Sequence, residues 1–388
     1  MSVTAPTGFR AAGVTAGLKA SGTPDLALVV NDGPLHAAAA VFTSNRVQAA
    51  PVVWSRQAVA DGRLDAVVLN SGGANACTGP DGFLDTHRTA EHAAALLGVA
   101  SGDVAVCSTG LIGERLPMHL LLPGVDAAAA ALAADGGAAA ARAIMTTDTV
   151  PKTAVARRTA ADGATWTVGA MAKGAGMLAP GLATMLVVVT TDARAEAGVL
   201  ARVLPAATRT TLERVDSDGC MSTNDTVLLL ASGASAATPA EAELLEAVTA
   251  VLAELARALV ADAEGAEHDI AVEVVHALTE DDAVEVARAV ARSNLFKAAV
   301  FGRDPNWGRV LAAVGTTQAA FDPLLLDVAI NGVQVCRAGA AGDDRALVDL
   351  APREVHVLVD LHAGDAAATV WTNDLTHAYV HENSAYST

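Results

Sequence analysis

Residues 173–192 read KGAGMLAPGLATMLVVVTTD: a lysine in a glycine-rich loop, a turn signal at Pro180-Gly181, then an apolar, β-branched run. A short apolar run bounded by such turns is the pattern of a buried strand. Thr184 stands at its mouth, directly after the turn. Two readings of this threonine are open. In one, it is a structural β-branched residue that opens the strand. In the other, its hydroxyl is a nucleophile, which requires an adjacent base. The residue's own α-amine, with a pKa near ~8, can be that base once the Ala183-Thr184 bond is cut. Cutting needs a strained turn in which the hydroxyl attacks the preceding carbonyl and the acyl group shifts from N to O. Pro180-Gly181 can impose such a turn.

Outward from this stretch, apolar runs predict strands over 25–30 (DLALVV), 37–44, 65–70 and 103–109. A helix is expected over 85–98, with Gly98 placed to stop it. Two short alanine-rich helices, broken at Gly136-Gly137, are expected within 126–145. Thr238, Pro239 and Glu241 read as a capping box, followed by an apolar stripe at Leu244, Val248, Val251, Leu252, Leu255 and Leu259. A strand over 270–275 precedes a helix from Thr279 to about Arg292. Asn331-Gly332 marks a hairpin, and 353–361 and 366–374 read as a strand pair. Strands and helices alternate without a regular β-α-β cadence. The fold class is therefore α/β, a layered sandwich over 1–280 with a smaller α+β domain over 281–388.

Composition narrows the function classes. The 388 residues are 52% hydrophobic but only 3% aromatic, so the core must be aliphatic. A formal charge of -18 repels phosphate backbones and anionic lipid, which argues against nucleic acid and membrane surfaces as partners. No apolar run approaches the ~20 residues of a membrane helix, and the opening residues lack a signal-peptide pattern, so a cytoplasmic protein is expected. Cys77, Cys107, Cys220 and Cys336 have no zinc or redox spacing and read as small buried hydrophobes. The His residues show no ligand spacing, so neither metal nor cofactor is expected. Lysine is rare: Lys19, Lys152, Lys173 and Lys297 all lie in Gly-, Pro-, Thr- or Ser-flavoured segments.

Two further candidate sites emerge. In CSTGLIGERLP (107–117) a strand ends in Ser108-Thr109-Gly110, where backbone N-H groups and a hydroxyl can form an oxyanion hole. Polar clusters at MTTDTVPK (145–152), ADAEGAE (261–267), GRDPNWGR (302–309) and YVHENSAYST (379–388) suit recognition of an amino acid's ammonium and carboxylate. DPNWG reads equally as a structural turn anchored by Trp307.

Taken in order, LNSGGANACTG, CSTGLIG, AIMTTDTVPK, AKGAGMLAPGLATML, STNDTV, GRDPNWGRV and NSAYST resemble the ornithine acetyltransferase family of arginine biosynthesis, along the whole chain. The resemblance implies a precursor that cuts itself between Ala183 and Thr184 into an α chain (1–183) and a β chain (184–388). Two of each would assemble as a heterotetramer. Thr184 would take the acetyl group from N2-acetylornithine and pass it to glutamate, with acetyl-CoA a co-substrate if the enzyme is bifunctional. A hydrolase of the related aminopeptidase type is the less favoured alternative. Family likeness makes Thr109 and Gly110 the oxyanion hole, and makes Thr147, Lys173, Thr184, Glu264, Asn383 and Thr388 substrate-binding. The implied fold is a sandwich resembling that of N-terminal nucleophile hydrolases with different connectivity. One departure stands out: where the family usually reads Glu-Gly-Ala-Thr-Lys, this chain has Glu264-Gly265-Ala266-Glu267-His268.

Overall fold

The structure, a computed structural model, describes residues 2–160, 163–179 and 185–385. Ala183, Thr184 and Thr388 lie outside the described residues, as do Pro180 and Gly181. The chain divides into two compact units: Met1–Glu213 with Cys220–Leu259, and Arg214–Gly219 with Val260–Ser387.

In the first unit the described strands are β1 (Phe9–Val14), β2 (Leu26–Asn31), β3 (Ala37–Phe42), β4 (Ala66–Asn70), β5 (Val104–Ser108), β6 (Lys152–Thr159), β7 (Thr165–Lys173), β8 (Leu186–Thr191) and β9 (Thr226–Ala231). They form a four-stranded sheet, β1-β2-β4-β5, and a five-stranded sheet, β3-β9-β8-β7-β6. Within these, β4–β5 and β8–β9 are parallel and the other pairs antiparallel. Ala27, Val67 and Ala105 of one sheet share a dry core with Met171, Val188 and Leu228 of the other. The core is aliphatic, as the composition requires. On the outer face of the four-stranded sheet, Leu28, Val68 and Val106 pack against helices α2 (Gly79–Leu97) and α3 (Met118–Ala130), which follow α1 (Ala50–Ala58). Then come α4 (Gly137–Ala143), α5 (Ala197–Thr210) and α6 (Glu241–Ala261). Helix α5 packs on β3, so the unit is the expected layered sandwich.

Local signals match the structure where the residue itself dictates the backbone. Gly98 ends α2 in a left-handed conformation, φ 72°, with its N-H on the Ala94 carbonyl at 2.8 Å. All six apolar stripe positions of α6 are buried. Three expectations are corrected here. Helix α6 begins at Glu241, so Thr238 and Glu241 make no capping box; Glu243 instead reaches back to the Ala240 N-H at 2.8 Å, while Glu241 pairs with Arg202. The first alanine-rich helix starts well before 126, at Met118. Cys77, with φ 57° in the turn before α2, and Cys220 are exposed, not buried.

The second unit holds β10 (Asp269–Ala277), α7 (Glu280–Ala291), α8 (Asn294–Phe301), α9 (Trp307–Val314), β11 (Asp327–Ile330), β12 (Val333–Arg337), β13 (Ala340–Ala341), β14 (Glu354–Asp360), β15 (Ala366–Asn373) and α10 (His377–Ala385). Thr279 caps α7 by accepting from the Asp282 N-H at 3.1 Å. Asn331 (φ 46°) and Gly332 (φ 83°) close the β11–β12 hairpin with both central residues left-handed. The sheet order is β13-β12-β11-β14-β10-β15. Strands β14 and β15 do not pair with each other, because β10 lies between them, parallel to β14 and antiparallel to β15. For the same reason β10 belongs to this unit, whose longer segment starts at Val260 and not near 280.

Candidate active site

Strand β5 carries the chain to Ser108, whose hydroxyl donates to Asn70 Oδ1 at 2.6 Å. Asn70 in turn donates to the Gly73 carbonyl at 3.0 Å. Thr109 then pairs with Gly73 through its carbonyl and with the Asn70 carbonyl through its N-H. Both backbone groups of Thr109 are thus engaged. Gly110 follows at φ 131°, with space for no side chain: a Cβ there would lie 2.7 Å from Gly73 N. A side chain would push the two turns apart, so glycine is required.

The Thr109 hydroxyl meets Lys173 Nζ at 3.5 Å. Lys173 is the last residue of β7, faces Leu186 of β8 in the antiparallel register, and is 2% exposed. A buried ammonium needs anionic company. Asp148 supplies it: its side chain is fully buried, Oδ1 accepts from Lys152 Nζ at 2.6 Å and from the Gly174 N-H at 2.7 Å, and Oδ2 accepts from the Thr146 N-H at 3.0 Å. Burial alone would raise the Asp148 pKa, but the charges of Lys173 and Lys152 and the Gly174 N-H overcome it and hold the carboxyl at about 2. Half-buried Thr147 lies beside this carboxylate in the chain.

Lys19 completes the cluster. Its ammonium donates to the carbonyls of Met145 at 2.5 Å and Pro24 at 3.0 Å. Its pKa is lowered, first by burial and partly by Lys173. Three of the four lysines in a chain of charge -18 therefore converge on Asp148, with Asp25 also acting on Lys19. The fourth lysine, Lys297, donates to the Ser217 carbonyl in the second unit.

From β9's entrance, Asn224 Nδ2 donates to the carbonyls of Ala74 at 2.6 Å and Ser108 at 2.8 Å. Next to it Asp225 is wholly buried and accepts from the Met185 N-H at 3.0 Å. Burial pushes its pKa well above the usual carboxylate value. The structure thus brings Thr109, Gly110 and Lys173 together and adds four residues to which sequence reading assigned no role: Lys19, Asp148, Asn224 and Asp225. Their signal was present in the rare lysines and in the polar run STND leading into the apolar TVLLLA.

In the second unit, Asn383 donates to Glu264 Oε2 at 3.0 Å. The unusual Glu267-His268 pair is accommodated by Asp374: both N-H groups reach Oδ1, at 3.0 and 2.9 Å, and His268 Nδ1 lies 2.7 Å from Oδ2. GRDPNWGR is a structural turn, with Asn306 capping α9 and Trp307 packed on the unit's core. Among the described residues, exposed His276 and His362 and half-buried Asp360 bring their ligand atoms within 4.8 Å of one another.

The comparisons agree on a family. The ArgJ family model matches residues 10–388. The arginine biosynthesis bifunctional protein ArgJ of Streptomyces coelicolor is 66% identical over 387 residues, 100% of each chain. That of Mycobacterium tuberculosis is 56% identical over 392 residues, covering 99% of this chain and 96% of the other. A crystal structure of M. tuberculosis ornithine acetyltransferase in complex with ornithine is 58% identical, covers 48% of this chain and 96% of its own, and has a TM-score of 0.45. With nearly its whole length matched and its nucleophile-type motifs in order, the chain belongs to the ArgJ family.

Proposed function

We propose that the chain cuts itself between Ala183 and Thr184 and then moves an acetyl group from N2-acetylornithine to glutamate, as an acyltransferase of arginine biosynthesis. The convergence of Lys173 and the Thr109-Gly110 turn at the end of β7, beside the start of β8, carries this reading. In the first half-reaction the Thr184 hydroxyl attacks the acetyl carbonyl and its proton moves to the Thr184 amine. The C-N bond to ornithine breaks, and that proton leaves with the ornithine nitrogen. Thr109 and Gly110 hold the developing oxyanion. Glutamate enters and the steps reverse, releasing N-acetylglutamate. Lys173 meets the amino-acid carboxylate, Thr147 and Thr388 contribute hydrogen bonds, and Glu264 with Asn383 takes the ammonium. The chemistry calls for no metal or organic cofactor.

Processing would leave chains of 1–183 and 184–388, assembled two and two, in the cytoplasm. Among the described residues no helix is long and apolar enough to cross a membrane. A second reading adds acetyl-CoA as donor to glutamate, favoured by the relatives' name of bifunctional proteins. Acetylglutamate formed from acetyl-CoA and glutamate alone tests it. For the main reading, Thr184→Ala is expected to remain one uncut chain without acetyl exchange, and Thr184→Ser to keep part of both activities. A processed, active alanine variant would overturn it.

A further inference from the structure

The end of the second unit's sheet at which β10 and β14 finish gathers two histidines and two carboxylates. Strand β14 pairs with β10 in parallel, Asp360 opposite Val275, and with β11 antiparallel, Asp360 opposite Asp327. His276 follows Val275 directly and His362 comes two residues after Asp360, so strand pairing brings together groups far apart in sequence. Both histidines stand in the left-handed region, at φ 52° and 49°. The His276 carbonyl accepts from the N-H groups of Ala363 and Gly364, at 2.7 and 2.9 Å, which ties the turn after β14 to the backbone of His276. A Cβ on Gly364 would lie 2.5 Å from the Ala277 carbonyl oxygen, so this close approach needs glycine. The backbone thus fixes where both imidazoles start.

Asp360 stands between the rings. Its Oδ2 is 2.8 Å from His276 Nδ1, and its Oδ1 is 3.5 Å from His362 Nδ1 while accepting the His362 N-H at 3.0 Å. On its other side, His362 Nε2 lies 3.1 Å from Asp327 Oδ2. A carboxylate accepts there, so in the neutral ring Nε2 carries the proton and Nδ1 turns a lone pair toward an oxygen of Asp360. Two lone pairs face to face repel, and a cation between them reverses the sign. Tetrahedral zinc, with bonds of about 2.0–2.1 Å, holds its ligand atoms about 3.3 Å apart. The three ligand atoms already lie within 4.8 Å of one another. We propose that His276, Asp360 and His362 bind a divalent transition-metal cation of the zinc class, with water completing the tetrahedron. Asp327 is the carboxylate that holds His362 in its ligating tautomer. On binding, His276 carries its proton on Nε2 and offers Nδ1 to the metal, so the ring stays neutral. Two imidazoles with one carboxylate favour zinc, copper or nickel over calcium or magnesium. None of the residues assigned to acetyl transfer takes part, and the site stands whether or not the chain cuts itself.

Tag-free protein stripped with a chelator is titrated calorimetrically with zinc chloride above the ordinary imidazole pKa of ~6.5. One saturable site of roughly micromolar affinity or tighter is expected, and zinc is expected to raise the thermal midpoint, since it binds the folded sheet end and not the separated strands. Asparagine tolerates the left-handed backbone, so His276→Asn combined with His362→Asn is expected to fold and to bind zinc at least ~100-fold more weakly. Asp327→Asn, which keeps an acceptor for the Ala338 N-H, is expected to weaken binding about 10-fold. A parent protein that takes up no zinc, or a folded double variant that binds as tightly as the parent, would overturn the proposal. If the double variant does not fold, Asp327→Asn carries the test, and an unchanged zinc affinity in it refutes the site.

Discussion

Lys173 is buried at a strand end, where an aliphatic residue would pack at lower cost, and it acts on buried Asp148, whose pKa it helps to lower. Replacing it by methionine preserves the stem and deletes the charge. Lys173→Met is expected to lower kcat/KM for glutamate roughly 100- to 1,000-fold, on the scale of losing one aligned charged partner in a transfer site. Steady-state rates at varied glutamate check this; near-normal kinetics would remove Lys173 from substrate recognition. Much of this was legible in the sequence, because a chain with four lysines advertises each of them. What the sequence did not reveal is which acid each lysine meets. Asp148 is four residues from Lys152 and could be guessed, but Asp225 reaches Met185 across forty positions of chain, and only strand pairing makes them neighbours. Ala183, Thr184 and Thr388 lie outside the described residues, so their roles rest on the sequence and the chemistry proposed for it.

At the scale of elements, the turn leaving β5 is held on both sides. Thr109 bridges Gly73, Asn224 ties Ser108 and Ala74 from the segment before β9, and Gly110 occupies φ 131° against the Gly73 backbone. Gly110→Ala places a methyl 2.7 Å from a backbone nitrogen that cannot yield as a side chain would. It is expected to cost about 1–3 kcal/mol of stability and most of the transfer activity, read by thermal unfolding and initial rate. An unchanged midpoint and rate would show that the turn is not confined. Such turns were readable because their residues act locally: Gly98 stops α2, and Asn331-Gly332 shapes a hairpin wherever it occurs. Pairing between distant strands was not. The segments of β14 and β15 sit close in sequence and look like a hairpin, yet β10 lies between them, parallel to β14 and antiparallel to β15. The capping of α6 slipped for a related reason, since several acidic residues near its start could each reach back and only the helix's true first residue selects Glu243.

For the whole molecule, charge and pH are linked through the buried acids. Asp148 has its pKa depressed from 3.8 to about 2. Its contribution is therefore present above pH ~4, is lost as pH falls toward 2, and amounts to about 2 kcal/mol. Asp225, raised, has the opposite sign: it weakens the fold as pH rises past its ordinary value and the cost is recovered in acid. Acid unfolding of Asp148→Asn is accordingly expected to be shallower between pH 4 and 2 than that of the parent, from a lower starting stability; an equally steep curve would mean that Asp148 is not ionised in the fold. A boundary near 280 is what the sequence suggests, because β10 follows the long helix α6, whereas the hydrogen bonds of β10 lie with the C-terminal strands and the longer segment of the second unit starts at Val260. The central claim concerns one bond, and intact mass with N-terminal sequencing of the purified, denatured protein tests it most directly. Two chains, the second beginning Thr184-Met185-Leu186, are the expected result; a single uncut chain in an enzyme that still exchanges acetyl groups would contradict the account.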